Sequence, residues 1–233
     1  MFNGKKKAVT FSYDDGTTQD IRLIELLNKY GLKCTFNINS GLLGTDKMLI
    51  RGGERISHYK IAPNRVKEVY EGHEVAVHTL THPKLINCSD DEIVRQVEED
   101  RLALEALVGY EIRGMAHPAG SSFVDERVER VIETRTKIRY ARGTNCSHSF
   151  ELPTHLYHFK PSVYHLDFDK MTEMGREFIE MTTDEPKLFY IWGHTFEMDY
   201  DSLNWHRLEE FFKLISGHTD IFYGTNTEIL LDK

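Results

Sequence analysis

The chain has 233 residues, 40% hydrophobic and 28% charged, with a formal net charge of −8 at pH 7. That length suits one large domain spanning 1–233, able to bury roughly three quarters of its unfolded surface, and is short for two. The acidic balance argues against a nucleic-acid partner, since Lys5-Lys6-Lys7 is the only basic run; no stretch has the apolar core of a signal peptide or reaches membrane-spanning length, so a cytoplasmic protein with no membrane partner is expected.

Strand-like and helix-like segments alternate along the chain. Residues 7–13 read as a strand, followed by "DIRLIELLNKYG", whose Leu23, Ile24 and Leu27 recur at helical spacing up to a stop at Gly31. "CTFNIN" is the next strand, with Cys34 in the core; the other cysteines, Cys88 and Cys146, stand at unrelated spacings that fit reduced thiols. A Gly-rich loop through Arg51-Gly52-Gly53 precedes a helix at "PNRVKEVYEG" and a strand at "HEVAV". Ser89 with Glu92 has the spacing of a capping box and opens a long helix that stops at Gly109. The alternation continues through "IRGMAH", "VDERVERVIET", "IRYA", "DKMTEMGREFIEMT", "KLFYIWG", "NWHRLEEFFKLISG" and "DIFYG", with one long loop over residues 143–162. About seven strand–helix units over so short a chain predict an α/β fold, a mostly parallel sheet closed into a barrel.

In such a barrel, functional groups sit just after the strands, at the C-terminal face. Asp14 and Asp15 follow the first strand, His78 and His82 the third, His117 the fourth, and His194 the sixth. Pro83 biases His82 out of the α region, which places the two histidines on a loop. Two imidazoles and one carboxylate make a three-ligand set that leaves a divalent metal open to water and substrate, and Asp15 is able to supply the carboxylate. Adjacent side chains leave an extended backbone in opposite directions, so Asp14 is left to act on the water, while Gly16 lets the backbone turn.

In order and separation, "TFSYDDG", "HTLTHP", "GMAHPAG" and "IWGHT" resemble the successive motifs of the polysaccharide deacetylase family, the NodB-homology or carbohydrate esterase family 4 domain. The resemblance implies a distorted (β/α) barrel and metal-dependent removal of N- or O-acetyl groups from sugars, with an acetylated amino sugar or oligosaccharide as substrate. It implies Asp14 as general base, Asp15, His78 and His82 as metal ligands, His194 as general acid, and the Ala119 N–H as a donor to the oxyanion. Zinc is the default ion for this donor set, with cobalt, nickel or manganese as alternatives. The chain departs from the family where Ala116 stands in place of an arginine that pairs with the base. The tryptophan motif that lines the acetyl pocket is not legible either, and Phe159 is the candidate to replace it.

Taken singly, most of these residues have plainer readings. A DDG stretch is often a solvated turn, and His117 divides between substrate contact and packing. His148, His155, His158 and His165 read as loop histidines, Trp192 and Trp205 as packing, and Glu197 and Asp199 either tune His194 or cap the helix after it, with capping favoured. Two alternatives to a sugar deacetylase stay open: a small-molecule amide or imide deacylase on the same scaffold, and a carbohydrate- or metal-binding module without activity.

Overall fold

The computed structural model describes residues 1–231. In chain order its strands and helices are β1 (Lys7–Asp14), α1 (Asp20–Lys29), β2 (Cys34–Ile38), β3 (Met48–Arg51), β4 (Glu54–Ser57), α2 (Val66–Val69), β5 (Glu74–Val77) and α3 (Asp90–Val108). There follow β6 (Gly114–Ala116), α4 (Glu126–Arg135), β7 (Tyr140–Arg142), β8 (Val163–Tyr164), α5 (Phe168–Glu180), β9 (Lys187–His194), α6 (Asn204–Ile215), β10 (Ile221–Tyr223) and α7 (Asn226–Leu230).

Seven parallel strands run in the order β7-β6-β5-β2-β1-β9-β8 and curl into the expected distorted barrel. Their membership differs from the sequence reading in one respect. Residues 163–164, at the end of the long loop, supply β8, whereas β10 pairs only with Lys7–Val9 of β1. Because β9 occupies one edge of β1 along its whole length, β2 and β10 divide the other edge between them. The Gly-rich segment expected to be a loop is an antiparallel hairpin, β3–β4, turning at Gly52-Gly53.

All eight residues of β1 are buried, because helices cover one face of the sheet and the barrel encloses the other. Val9, Phe11 and Tyr13 belong to the large outer core with Leu23 and Leu27 of α1 and Phe212 of α6. The alternate residues Ala8, Thr10, Ser12 and Asp14 point inward. At the N-terminal end of the strands Ala8 packs with Tyr140, Leu188 and Tyr190, and there α7 inserts Ile229 and Leu230. Toward the C-terminal end the interior becomes polar, which a barrel tolerates only when those groups bond to one another. Ser89 caps α3 by accepting from Glu92 N at 3.2 Å, and Gly109 ends it at a φ of 86°. No helix among the described residues is long and apolar enough to cross a membrane.

Candidate active site

All six residues singled out in the sequence, Asp14, Asp15, His78, His82, Ala119 and His194, line one cleft of about 330 Å³ at the C-terminal ends of the strands. They converge because parallel strands in register bring their ends to one level: Asp14 is the register partner of Asn37 on β2 and of His194 on β9.

Asp15 lies just beyond β1 with a φ of 84°, so its divergence from Asp14 comes from a left-handed residue at the strand end and not from strand alternation. Gly16 follows at φ 63°, and a Cβ there would stand 2.5 Å from Ile38 Cγ2. The Asp15 Oδ1 atom is 4.0 Å from His78 Nε2 and 3.9 Å from His82 Nε2. Two donors that share one ion at about 2.0–2.2 Å lie at most about 4.4 Å apart, so these spacings fit a divalent metal. The His78 Nδ1–H donates to the Ala116 carbonyl at 2.9 Å, which leaves the Nε2 lone pair facing Asp15. Burial holds the His78 pKa down to about 4, so the ring is neutral, as a ligand must be. The His78 backbone N–H is in turn held by the Ile38 carbonyl and by Asp100 of α3.

Two neighbours of Asp15 carry no sequence signal. His58 Nε2 is 3.2 Å from Asp15 Oδ2, and the buried Lys60 donates to the Asp15 carbonyl at 2.6 Å. Burial alone would raise the Asp15 pKa, but the His58 hydrogen bond and the Lys60 and His194 charges outweigh it and hold the carboxyl well below the usual range.

Asp14 is 2% exposed. The arginine missing at Ala116 is supplied from the next strand: Ala116 and Arg142 are register partners on β6 and β7, and Arg142 Nη2 bonds Asp14 Oδ1. Asn37 Nδ2 donates to the same oxygen at 2.9 Å, so neither bond uses Oδ2. Burial would raise the Asp14 pKa, but Arg142, with the His78 and His194 charges, brings it below the ordinary value. The Arg142 guanidinium lies 4.7 Å over the Trp192 ring, and Trp192 lines the cleft instead of serving only as packing. Phe159, the candidate for that wall, is packed against Tyr190 in the barrel interior.

His194 Nδ1 meets Glu197 Oε2 at 3.0 Å. Burial would lower the histidine pKa, yet the bond to Glu197 and the charges of Glu197, Asp15 and Asp14 raise it to about 9. Glu197 caps the turn at residues 195–200, as the sequence suggests, but it also binds His194 and reaches Nε2 of the fully buried His165 at 2.9 Å. His165 closes the set through the Tyr13 hydroxyl at 3.2 Å and is no surface-loop histidine. His117 is buried, with Nε2–H donating to the Tyr157 carbonyl at 2.8 Å, and it lines the cleft. Ala119 takes a φ of 63° beside it. His155 and His158 both bond Glu129, and Trp205 donates to Asp199.

The cleft therefore places a carboxylate held against a cation and an imidazole held against an anion beside three donors spaced to suit a metal ion. Among known proteins, a 118-residue stretch is 27% identical to a peptidoglycan-N-acetylglucosamine deacetylase of Bacillus cereus, covering 49% of this chain and 37% of that relative. The chain thus spans well under half the length of the curated relative it matches. A solved family 4 carbohydrate esterase from Streptomyces lividans, in complex with acetate, superposes with a TM-score of 0.58 at 13% identity over 95% of this chain and 92% of that one. A mutant, with restored enzymatic activity, of a CE4-family pseudoenzyme from Bacillus anthracis superposes with a TM-score of 0.61 at 19% identity, covering 97% and 68% of the two chains. Residues 3–141 match the family model described as polysaccharide deacetylase, a stretch that runs from the strand carrying Asp14 to the one that ends at Arg142, and the chain belongs to that family.

Proposed function

We propose that this chain is a metal-dependent hydrolase that removes acetyl groups from N-acetylated or O-acetylated sugars, with an acetylated amino sugar or its oligomer as substrate. The observation that carries the reading is the opposite bias of two charged groups in one cleft: Asp14 is held ionised by Arg142, and His194 is held protonated by Glu197. Hydrolysis of an amide needs a base for water and an acid for the leaving amine, whereas a binding module needs neither. The relative from Bacillus cereus, named for deacetylation of an N-acetylated sugar polymer, supports the substrate class.

Asp15, His78 and His82 would hold the ion, zinc by the chemistry of the donors, with cobalt, nickel or manganese able to take its place. Bound there, a divalent ion supplies Lewis acidity and lowers the pKa of water toward about 7. Asp14 takes the proton of the attacking water; with Oδ1 anchored by Arg142 and Asn37, Oδ2 is the basic atom. The Ala119 N–H donates to the oxyanion that develops on the acetyl oxygen. The His194 imidazolium, oriented through Nδ1 by Glu197, gives its Nε2 proton to the departing amine.

The experiment is acetate release from N-acetylglucosamine oligomers by zinc-loaded protein. Asp14→Asn and His194→Ala should retain the ion while turnover falls by roughly a hundredfold or more. His78→Ala or His82→Ala should lose it. Full activity of Asp14→Asn would remove the base from the scheme, and unchanged occupancy in both histidine variants would remove the metal site.

A further inference from the structure

The polar interior of the barrel links the base to the last helix of the chain. Asn226, the first residue of α7, is 1% exposed and lies inside the barrel at the level of Thr10 and Ser12, below the cleft. Its Nδ2 donates to the Tyr190 hydroxyl at 2.7 Å and to Ser12 Oγ at 3.4 Å, and its Oδ1 accepts from Thr10 Oγ1 at 2.9 Å. Ser12 Oγ also accepts from Asn37 Nδ2 at 2.9 Å, and Asn37 is the residue that donates to Asp14 Oδ1. Tyr190, Asn226, Ser12, Asn37 and Asp14 therefore form one hydrogen-bonded chain, every member 2% exposed or less, and the Tyr190 hydroxyl is an electrostatic neighbour of the Arg142 guanidinium, the second group on that same oxygen.

The helix that brings Asn226 there is locked in place. Its backbone N–H donates to Thr35 Oγ1 at 2.9 Å, and Thr227 donates to the buried Glu74 through its N–H at 3.0 Å and its hydroxyl at 2.5 Å. Glu74 is held in turn by Thr35 at 2.8 Å and Tyr140 at 2.9 Å. Through Ser12 the Asn226 amide holds Asn37, a donor to Asp14 Oδ1, and so bears on the direction in which Oδ2 presents its lone pairs. Hydrogen bonds in a buried chain support one another, so loss of its junction is felt along it. Arg142, Tyr190 and Asn226 all lie beyond the residues 3–141 that match the family model.

We propose that Asn226 is a positioning residue for the Asp14 carboxylate, so that α7 supports the active site from inside the barrel, beneath the cleft. The proposal rests on Asp14 being the base. Its test is a double-mutant cycle of Asn226→Ala and Tyr190→Phe in the full chain, zinc-loaded, with N-acetylglucosamine oligomers as substrate. Each single variant should lower kcat by roughly tenfold, the scale of a misaimed reacting group, with KM and zinc affinity unchanged. The pair should lose little more than either alone, because both remove the hydrogen bond between Asn226 and Tyr190. General loosening of the strand ends would instead weaken zinc binding and give additive losses. Should Asn226→Ala fail to fold, Ser12→Ala and Tyr190→Phe, each deleting one hydroxyl, carry the same test. A crystal structure of Tyr190→Phe or Asn226→Ala reads the network without any assay: the Asp14 carboxylate or the Arg142 guanidinium should turn from its place. An unmoved Asp14–Arg142 pair, a wild-type kcat, or additive losses would overturn the proposal. An inactive wild type would instead count against the deacetylase reading, and the crystal structure would then decide the positioning of Asp14 alone.

Discussion

Replacing Arg142 by Met keeps most of the side-chain volume and removes the charge that faces Asp14. Both partners are buried, Arg142 at 0% and Asp14 at 2% exposure, so the carboxylate left behind has no solvent to turn to. Breaking a buried pair of this kind from one side costs about 3–5 kcal/mol, whatever the net worth of the intact pair. The lower end applies here, because Asn37 still donates to Oδ1 and the carboxyl escapes part of the penalty by taking up a proton. About 3 kcal/mol corresponds to a fall in Tm of roughly 6–12 °C for a chain of this size. In the wild type the folded pKa of Asp14 is depressed, so its contribution is fully present above the unfolded value of about 3.9 and is lost as pH falls through the folded value. In Arg142→Met burial goes largely unopposed and the folded pKa rises, so the carboxylate destabilises the fold above that raised value and ceases to do so below about pH 4. The gap between the two proteins should be widest at pH 7–8 and close on acidification. Urea unfolding of the metal-free proteins from pH 4.5 to 8 measures this directly. In the zinc-loaded enzyme the acid limb of kcat/KM should move to higher pH. Parallel stability curves, or a variant within about 0.5 kcal/mol of wild type at pH 7, would refute the assignment of Arg142 as the counter-charge of the base.

Glu197→Gln removes the anion that holds the His194 pKa at about 9, so the alkaline limb of the pH–rate profile should fall toward the ordinary histidine value of about 6.5; an unmoved limb would separate Glu197 from the acid. Gly16→Ala forces a Cβ to within 2.5 Å of Ile38 at a φ of 63° and should cost more than about 1 kcal/mol in denaturant unfolding while weakening zinc binding measured by calorimetry, since Asp15 is the preceding residue. Residues 1–233 are proposed to fold as one domain. Proteolytic cleavage within 143–162 should therefore abolish the far-ultraviolet circular dichroism of both products, because β1 is paired along its full length with β9 on the other side of the cut; two stably folded fragments would contradict it.

The parts of this site that are local in sequence were legible there. The alternation of apolar segments gave a mostly parallel sheet, the position of Asp14 and Asp15 after a strand placed them at the functional face, and Pro83 put His78 and His82 on a loop. The spacing of four short motifs named the family, because each motif hangs from its own strand and the strand order then brings them together. What sequence reasoning missed is long-range. Arg142 reaches Asp14 across 128 positions because the barrel brings the end of β7, where Arg142 is the register partner of Ala116, within reach of the end of β1. Glu197 stands three residues from His194, a spacing open to both capping and tuning, and it does both; nothing local tells that the same carboxylate also binds the buried His165. Half of the strand residues of the hairpin β3–β4 are exposed and only Ile56 is buried, so it lacks the apolar pattern that marks a strand, yet the residues just after it, His58 and Lys60, reach Asp15. Amphipathic periodicity registers which face of an element is dry; it carries no information about which polar groups will meet inside a closed barrel, and that pairing is decided by strand register and by the helix that plugs its far end.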